Sequence, residues 1–552
     1  MYSMQYLALL SAQVLLTAGT PVSLRNGCNE LNHTVTVNTT SGIFAPYIDD
    51  AFPSVASFPD IAYAQNPTGS LRFAPPVRAR PNPNGRVTYA TDLPLGCFQY
   101  IQAALTGTVS FYSEKSTLFQ RGDSANTTED CLRLSIFAPK AAVERAALSA
   151  VEASEDDKNG LPVVVWIHGG GFSFGGTNVP YQLSPSWVER SREHIVVQVQ
   201  YRLNLLGQPN AAGLVAPHSA SGQNENLNFG LLDQRLAVEW VRDNIASFGG
   251  DPDRITLWGQ SAGAYTADGY LFAWPQDPIV KGVIANSGNA IAIPAYLADA
   301  TNHTLFSTVA ERLGCGGLGP AEELACMRAV PASDIKDYIQ GSLGTTSAAS
   351  DNLAFGTVID NVTLFSDYPG RIEAQDASLY ASHIPLLTST TTDEGTAIVP
   401  YEFSGSATAA ELPLELAGIA NGFTLNLECT ALQDIKLRAS VGATTYQFLY
   451  GGNFSDISPV PWLGAYHTAD LPMVFGTYGL EGSSTAFEQQ VSHRMQDLYL
   501  EFIKDPSEGL KQAGWPESTG KLEDPNIVAF AVDGKLQQLA SANHWNWGQG
   551  CT

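Results

Sequence analysis

Ile255-Thr256-Leu257-Trp258-Gly259-Gln260-Ser261-Ala262-Gly263 is the stretch on which the fold turns. A short apolar run leads into Gly-x-Ser-x-Gly, and Ala262 to Phe272 can continue as a helix that ends near Trp274-Pro275. A strand, a sharp turn of small residues and a helix together leave such a serine exposed at the edge of a sheet. A second match, Gly171-Phe172-Ser173-Phe174-Gly175, lacks that context: Phe flanks Ser173, and Gly175-Gly176-Thr177-Asn178 reads as loop. Ser261 is therefore the candidate nucleophile.

Working outward, Pro162-Val163-Val164-Val165-Trp166-Ile167 and Ile195-Val196-Val197-Gln198-Val199 read as strands covered on both faces, while Leu132 to Phe137 alternates. Leu232, Leu236, Trp240, Val241 and Ile245 form one apolar stripe, which predicts a helix of about 18 residues. Ala141 to Gly160, with the acidic run Glu155-Asp156-Asp157, reads as a surface helix and loop between two strands. This alternation predicts an α/β fold with a large, mainly parallel central sheet and helices on both faces. There is no internal repeat or long linker, so one domain is expected over residues 21–552.

The second chemical motif is His168-Gly169-Gly170-Gly171-Phe172, directly after the Val163–Ile167 strand. Successive glycines let backbone N–H groups turn toward a ligand, and a tetrahedral oxyanion needs such donors. Gly170, Gly171 and Ala262 are the expected donors. A serine nucleophile also needs a base and an orienting carboxylate, which follow it in chain order in the α/β-hydrolase arrangement. His467, His493 and His544 come late enough, and spacing does not choose among them. His493 lies in the helical stretch Phe487–Ile503 and His544 near the chain end. His467 sits in a Gly- and Pro-punctuated loop, Gly464 to Pro472, which suits a functional loop.

Composition bounds the rest. With 44% hydrophobic and 15% charged residues the chain is globular, and its formal net charge of −25 opposes nucleic-acid binding. Residues 1–20 read as a signal peptide: Tyr6 to Thr20 is uncharged and apolar, though no Lys or Arg precedes it. No other segment can span a bilayer and no lipid-anchor tail follows, so a secreted protein without a membrane anchor is expected. Six Asn-x-Ser/Thr sequons, at Asn32, Asn38, Asn126, Asn302, Asn361 and Asn453, agree with secretion as candidate glycosylation sites. So do seven cysteines without a Cys-x-x-Cys pair, which favour disulfides over metal. No metal or organic cofactor is expected, and oligomeric state is left open.

The sequence resembles the type-B carboxylesterase/lipase family, which includes secreted fungal esterases and lipases, cholinesterases and neuroligins. The resemblance spans nearly the whole mature chain. It rests on Glu129-Asp130-Cys131-Leu132, His168 to Phe172, Asn228-Phe229-Gly230-Leu231-Leu232-Asp233-Gln234, Phe248-Gly249-Gly250-Asp251-Pro252, Gly259 to Gly263, Asp393-Glu394-Gly395 and Asp470-Leu471-Pro472-Met473-Val474-Phe475-Gly476, in that order. It implies an α/β-hydrolase fold, a serine ester hydrolase acting on a small-molecule ester, Glu394 as the acid and His467 as the base. It also implies that Ser287 is a buried serine beside the acid. The residues alone do not prefer Glu394 over Asp393. Cys97–Cys131 and Cys315–Cys326 match two family disulfides. Among Cys28, Cys429 and Cys551 one more pair is expected, with Cys429–Cys551 preferred.

Two departures matter. The Cys97–Cys131 loop has no Trp, and residue 260 is Gln where many relatives carry Glu. Both remove attraction for a cation, so uncharged apolar or aromatic esters are expected. The loop's Phe98, Tyr100, Phe111, Tyr112 and Phe119 serve equally well as packing or as an apolar rim. A triacylglycerol lipase, an acyltransferase or lactone-forming enzyme of the same fold, and a non-catalytic adhesion protein are the alternatives.

Overall fold

Continuous apolar runs become the inner strands because a strand's side chains alternate between two faces, and here both faces are covered. The computed structural model describes residues 35–81, 84–99, 111–115, 118, 127–152, 160–215, 227–292, 298–341, 355–399 and 412–551. The expected signal peptide, Cys28, Asn32, Tyr100, Phe119 and Asn126 lie outside them. The main sheet contains β1 (Val55–Ala62), β2 (Arg133–Pro139), β3 (Leu161–Ile167), β4 (Ile195–Val199), β5 (Gly250–Gln260), β6 (Gly282–Asn286), β7 (Leu386–Thr391), β8 (Thr445–Tyr450), β9 (Ile527–Phe530) and β10 (Gln537–Ala540). Their spatial order is β10-β9-β8-β7-β6-β5-β3-β4-β2-β1. Strands β3 to β9 pair in parallel, and antiparallel strands close both edges.

The alternation is visible in the core. Val163, Val165, Ile167, Ile255 and Leu257 pack on one face with Trp240 and Val241 of helix α2 (Phe229–Asn244) and Tyr265 and Leu271 of helix α3 (Ala262–Ala273). Val164, Trp166, Trp258 and Ile284 pack on the other with Met495 and Tyr499 of helix α5 (Ala486–Lys504). The apolar stripe of α2 thus forms a 16-residue helix, slightly shorter than its pattern suggests. Of the stretch Ala141 to Gly160, the residues up to Glu152 form helix α1 (Lys140–Glu152), and the acidic run Glu155-Asp156-Asp157 lies outside the described residues.

Several sequence markers turn out to be electrostatic joints. Asp233 takes both ends of the Arg202 guanidinium at 2.8 and 2.7 Å, and Glu129 does the same for Arg72 at 2.5 and 2.7 Å, all buried. A forked guanidinium meeting a carboxylate in two places compensates much of the desolvation that burial costs. Cys97–Cys131, Cys315–Cys326 and Cys429–Cys551 form disulfides. The sequon residues Asn38, Asn302, Asn361 and Asn453 are exposed. Among the described residues no helix is long and apolar enough to cross a membrane, and no three His, Cys, Asp or Glu side chains gather as metal ligands.

One buried pair has no such forked partner, although the Arg438 charge acts on both and Asp268 accepts the Ala290 N–H at 2.8 Å. Asp268 of α3 and Asp434 of helix α4 (Leu414–Ser440) face each other's field. Asp268 Oδ1 and both Asp434 oxygens have no hydrogen-bond partner among the described residues. The nearby Arg438 spends its guanidinium on Thr445, Tyr380 and the Ile384 carbonyl. Burial, and then mutual repulsion, raise the Asp434 carboxyl well above the usual range, and burial raises Asp268 as well. A raised folded-state pKa contributes stability below the unfolded carboxyl value, about 3.8, and loses it as pH rises through the folded value. Asp434→Asn is therefore expected to raise Tm by about 1–3 °C at pH 7 and to leave it unchanged near pH 3.5, as read by thermal melts at both pH values.

Candidate active site

Strand register builds the site. Gln260 lies opposite Asn286, and Asn286 opposite Ser389, so β5, β6 and β7 end level with one another. Ser261 and Ser287 are the next residues on the first two strands, and both take positive φ, 53° and 54°. A non-glycine residue held there is strained and needs surrounding structure to fix it. For Ser261 that support is its N–H donating to the Asn286 carbonyl at 2.9 Å, its carbonyl starting α3, and glycines on both sides. A Cβ on Gly263 would overlap the Ile167 carbonyl, so only glycine lets α3 approach β3 this closely. The turn exposes Ser261 partly, while its neighbours on α3 are buried.

Beside it, Gly170 and Gly171 have φ of 104° and 59°, and the space around Gly171 is open. Ser173, the second motif match, closes this turn: its N–H bonds the Gly170 carbonyl at 2.9 Å and its hydroxyl the Gly171 carbonyl at 3.2 Å. Among the described residues no protein acceptor takes the N–H of Gly170, Gly171 or Ala262. His168 stacks on Tyr201 at 4.4 Å, and burial lowers its pKa to about 4, so it is a neutral packing group at the base of the turn.

The loops after β7 and β8 meet through a bridge between Asp393 and Tyr466. This contact separates the two acids that sequence leaves equal. Asp393 accepts the Ala465 N–H at 3.0 Å and the Thr392 hydroxyl at 2.6 Å, fastening the backbone of the His467 loop. Glu394, fully buried, brings Oε2 to 2.6 Å from His467 Nδ1. Its other oxygen accepts from the Ser287 hydroxyl at 2.7 Å and the Thr391 N–H at 2.8 Å. His493 lies on α5, within the field of Arg190 and Asp497, and His544 is exposed beside Trp545, so neither belongs to this group.

Other contacts were not legible in the motifs. His467 Nε2 lies 3.1 Å from the Gln260 amide, and no hydrogen bond ties the imidazole to the Ser261 hydroxyl among the described residues. Asp470, one turn beyond His467, accepts from Asn286 at 2.7 Å, and burial pushes its carboxyl up to about 6. Phe423 of α4 stands edge-on to the imidazole at 5.7 Å. Tyr112 donates to the His467 carbonyl, and Phe111 packs on Tyr466 at 5.0 Å. Phe98 is buried in a separate cluster under Phe229 and Phe306. For Phe98 and Phe111 the packing role is therefore the observed one.

The sequence pattern described as "Carboxylesterase family" matches residues 35–417. The chain is 55% identical to "Secreted lipase 5" of Gibberella zeae over 97% of its own length and 96% of that protein. It is 37% identical to "Chlorogenic acid esterase" of Aspergillus niger, covering 92% of each chain. It is also 25% identical to "Acetylcholinesterase" of Bungarus fasciatus over 92% of this chain and 84% of that one.

Ser287 offers a test of the buried array. Its hydroxyl supplies one of two hydrogen bonds to Glu394 Oε1, and a bond to a charged acceptor contributes about 1.5–3 kcal/mol. Ser287→Ala is expected to slow the reaction of Ser261 with phenylmethylsulfonyl fluoride by about tenfold or more, measured as an inactivation rate. An unchanged rate removes Ser287 from the array.

Proposed function

Because the chain belongs to the carboxylesterase family, and is a serine carboxylic-ester hydrolase, we propose that Ser261 is its nucleophile, His467 its general base and Glu394 the carboxylate that orients the base. The observation that carries this reading is the buried Glu394–His467 contact at 2.6 Å beside a partly exposed serine at a strained turn. Glu394 holds the Nδ1–H tautomer, which makes Nε2 the nitrogen that takes a proton. His467 removes the hydroxyl proton as Ser261 Oγ bonds the ester carbonyl carbon. The N–H groups of Gly170, Gly171 and Ala262 receive the oxyanion. Collapse of the intermediate expels the alcohol, protonated by His467. Water then attacks the acyl-enzyme with the same base, releasing the acid and Ser261. This sequence uses no metal or organic cofactor.

The substrates proposed are uncharged apolar or aromatic esters. A neutral Gln260 beside His467 supports this, as does the likeness to proteins named for lipase and chlorogenic acid esterase activity. Triacylglycerol hydrolysis is the second reading, favoured by the 55% identity to a secreted lipase. Secretion is proposed on the same likeness, the apolar start of the chain, the exposed sequons and the three disulfides. The whole of residues 21–552 is proposed as one domain.

Purified Ser261→Ala is expected to lose turnover of p-nitrophenyl butyrate by on the order of 10⁵-fold or more while its melting curve stays close to wild type. Persistent turnover overturns the assignment. Acyl-chain profiles on soluble and emulsified esters separate the two substrate readings. Saturation below the solubility limit marks an esterase, and a rate increase above it marks a lipase.

A further inference from the structure

Gln260 is the last residue of β5, only 1% exposed, and its side chain lies at the meeting point of three elements. Its amide nitrogen is 3.1 Å from His467 Nε2. Its amide oxygen rests against the glycine turn, where a Cβ on Gly169 would come within 2.6 Å of it. The orientation of this amide follows from the far side of the ring. An ionised Glu394 can only accept, so His467 Nδ1 carries the proton and Nε2 of the neutral ring is an acceptor. The partner of an accepting nitrogen must be the amide N–H. The lone pair that has to take the Ser261 proton is thus occupied by Gln260 in the ligand-free enzyme.

We propose that Gln260 is a positioning residue that holds the neutral imidazole at rest and releases Nε2 to Ser261 when an ester enters. This inference rests on the proposed triad. An N–H donor on Nε2 favours the neutral ring over the imidazolium, which has no lone pair to offer. Other ionisable groups around the ring are Glu394 at Nδ1, Asp470 after the loop, Asp393 beneath Tyr466, Tyr112 at the His467 carbonyl and Glu428 on α4 within the field of Glu394. None of these changes in the variants below, so a shift relative to wild type reports Gln260.

The test is the pH profile of kcat/KM for p-nitrophenyl butyrate in wild type, Gln260→Met and Gln260→Glu. Met keeps the length and removes the donor, and is expected to raise the acid-limb pKa by about 0.5–1 unit. Glu replaces the donor with a carboxylate at hydrogen-bond distance from the imidazolium, and is expected to raise it by about 1 unit or more. The pH dependence of inactivation by phenylmethylsulfonyl fluoride reads the same base without turnover and should move in parallel. An acid limb within 0.2 unit (about the resolution of such a profile) of wild type in both variants overturns the proposal, as does a fall in kcat/KM with no shift, which marks a purely packing residue. If Gln260→Met does not fold, Gln260→Leu, which also lacks the donor and carries no charge, takes its place. Failure of the triad reading is separately visible, because it leaves Ser261→Ala active.

Discussion

The approach of helix α3 to strand β3 governs the rest of the structure. It is limited by the Gly263 backbone against the Ile167 carbonyl, where no side chain fits. That closeness makes the turn at Ser261 sharp enough to require a positive φ, and the packed sheet around it supplies the constraint. The same C-terminal end of the sheet carries the Asn286 carbonyl that receives the Ser261 N–H, and the Asn286 side chain that reaches Asp470 and Tyr499. Trp258, one turn of the pleat earlier, donates to the same Asn286 at 2.8 Å. Ser261, the His467 loop and the core are thus joined through one asparagine.

The electrostatics below the site follow a consistent rule. The chain is strongly acidic, yet the carboxylate nearest the imidazole is satisfied from three directions, by His467, Ser287 and the Thr391 N–H. Carboxylates with fewer partners, Asp470, Asp434 and Glu428, have raised pKa values, with burial as the leading cause in each. Glu394 is held in one orientation by these three contacts. The neutral Gln260 fits this arrangement, since another carboxylate there would add repulsion to Glu394 and Asp470.

The described part of the Cys97–Cys131 loop reaches the site through residues 111 and 112. Its disulfide sits next to the Arg72–Glu129 pair, which ties it to the body. Its described helical turn, residues 111–114, lays Phe111 on Tyr466 and Tyr112 on the His467 backbone. The turn at residues 111–114 and the backbone of the His467 loop are therefore in direct contact, which no motif in the loop announces.

Much of this was legible in the order of residues. Apolar runs of five or six residues separated by helical patterns specify inner strands of a parallel sheet, because local periodicity reports which faces are buried. The strand–turn–helix context distinguishes Ser261 from Ser173 for the same local reason. What the order could not decide is which distant groups meet. Asp393 and Glu394 are adjacent and chemically alike, and only the bridge to Tyr466 turns one toward the loop backbone and the other toward Nδ1. In the sequence Gln260 reads only as a missing negative charge beside Ser261, and only the fold brings a residue 207 positions away within 3.1 Å of its amide. Periodicity is a property of neighbouring residues, whereas these contacts depend on register between strands and on loop closure, which only the packed tertiary structure sets.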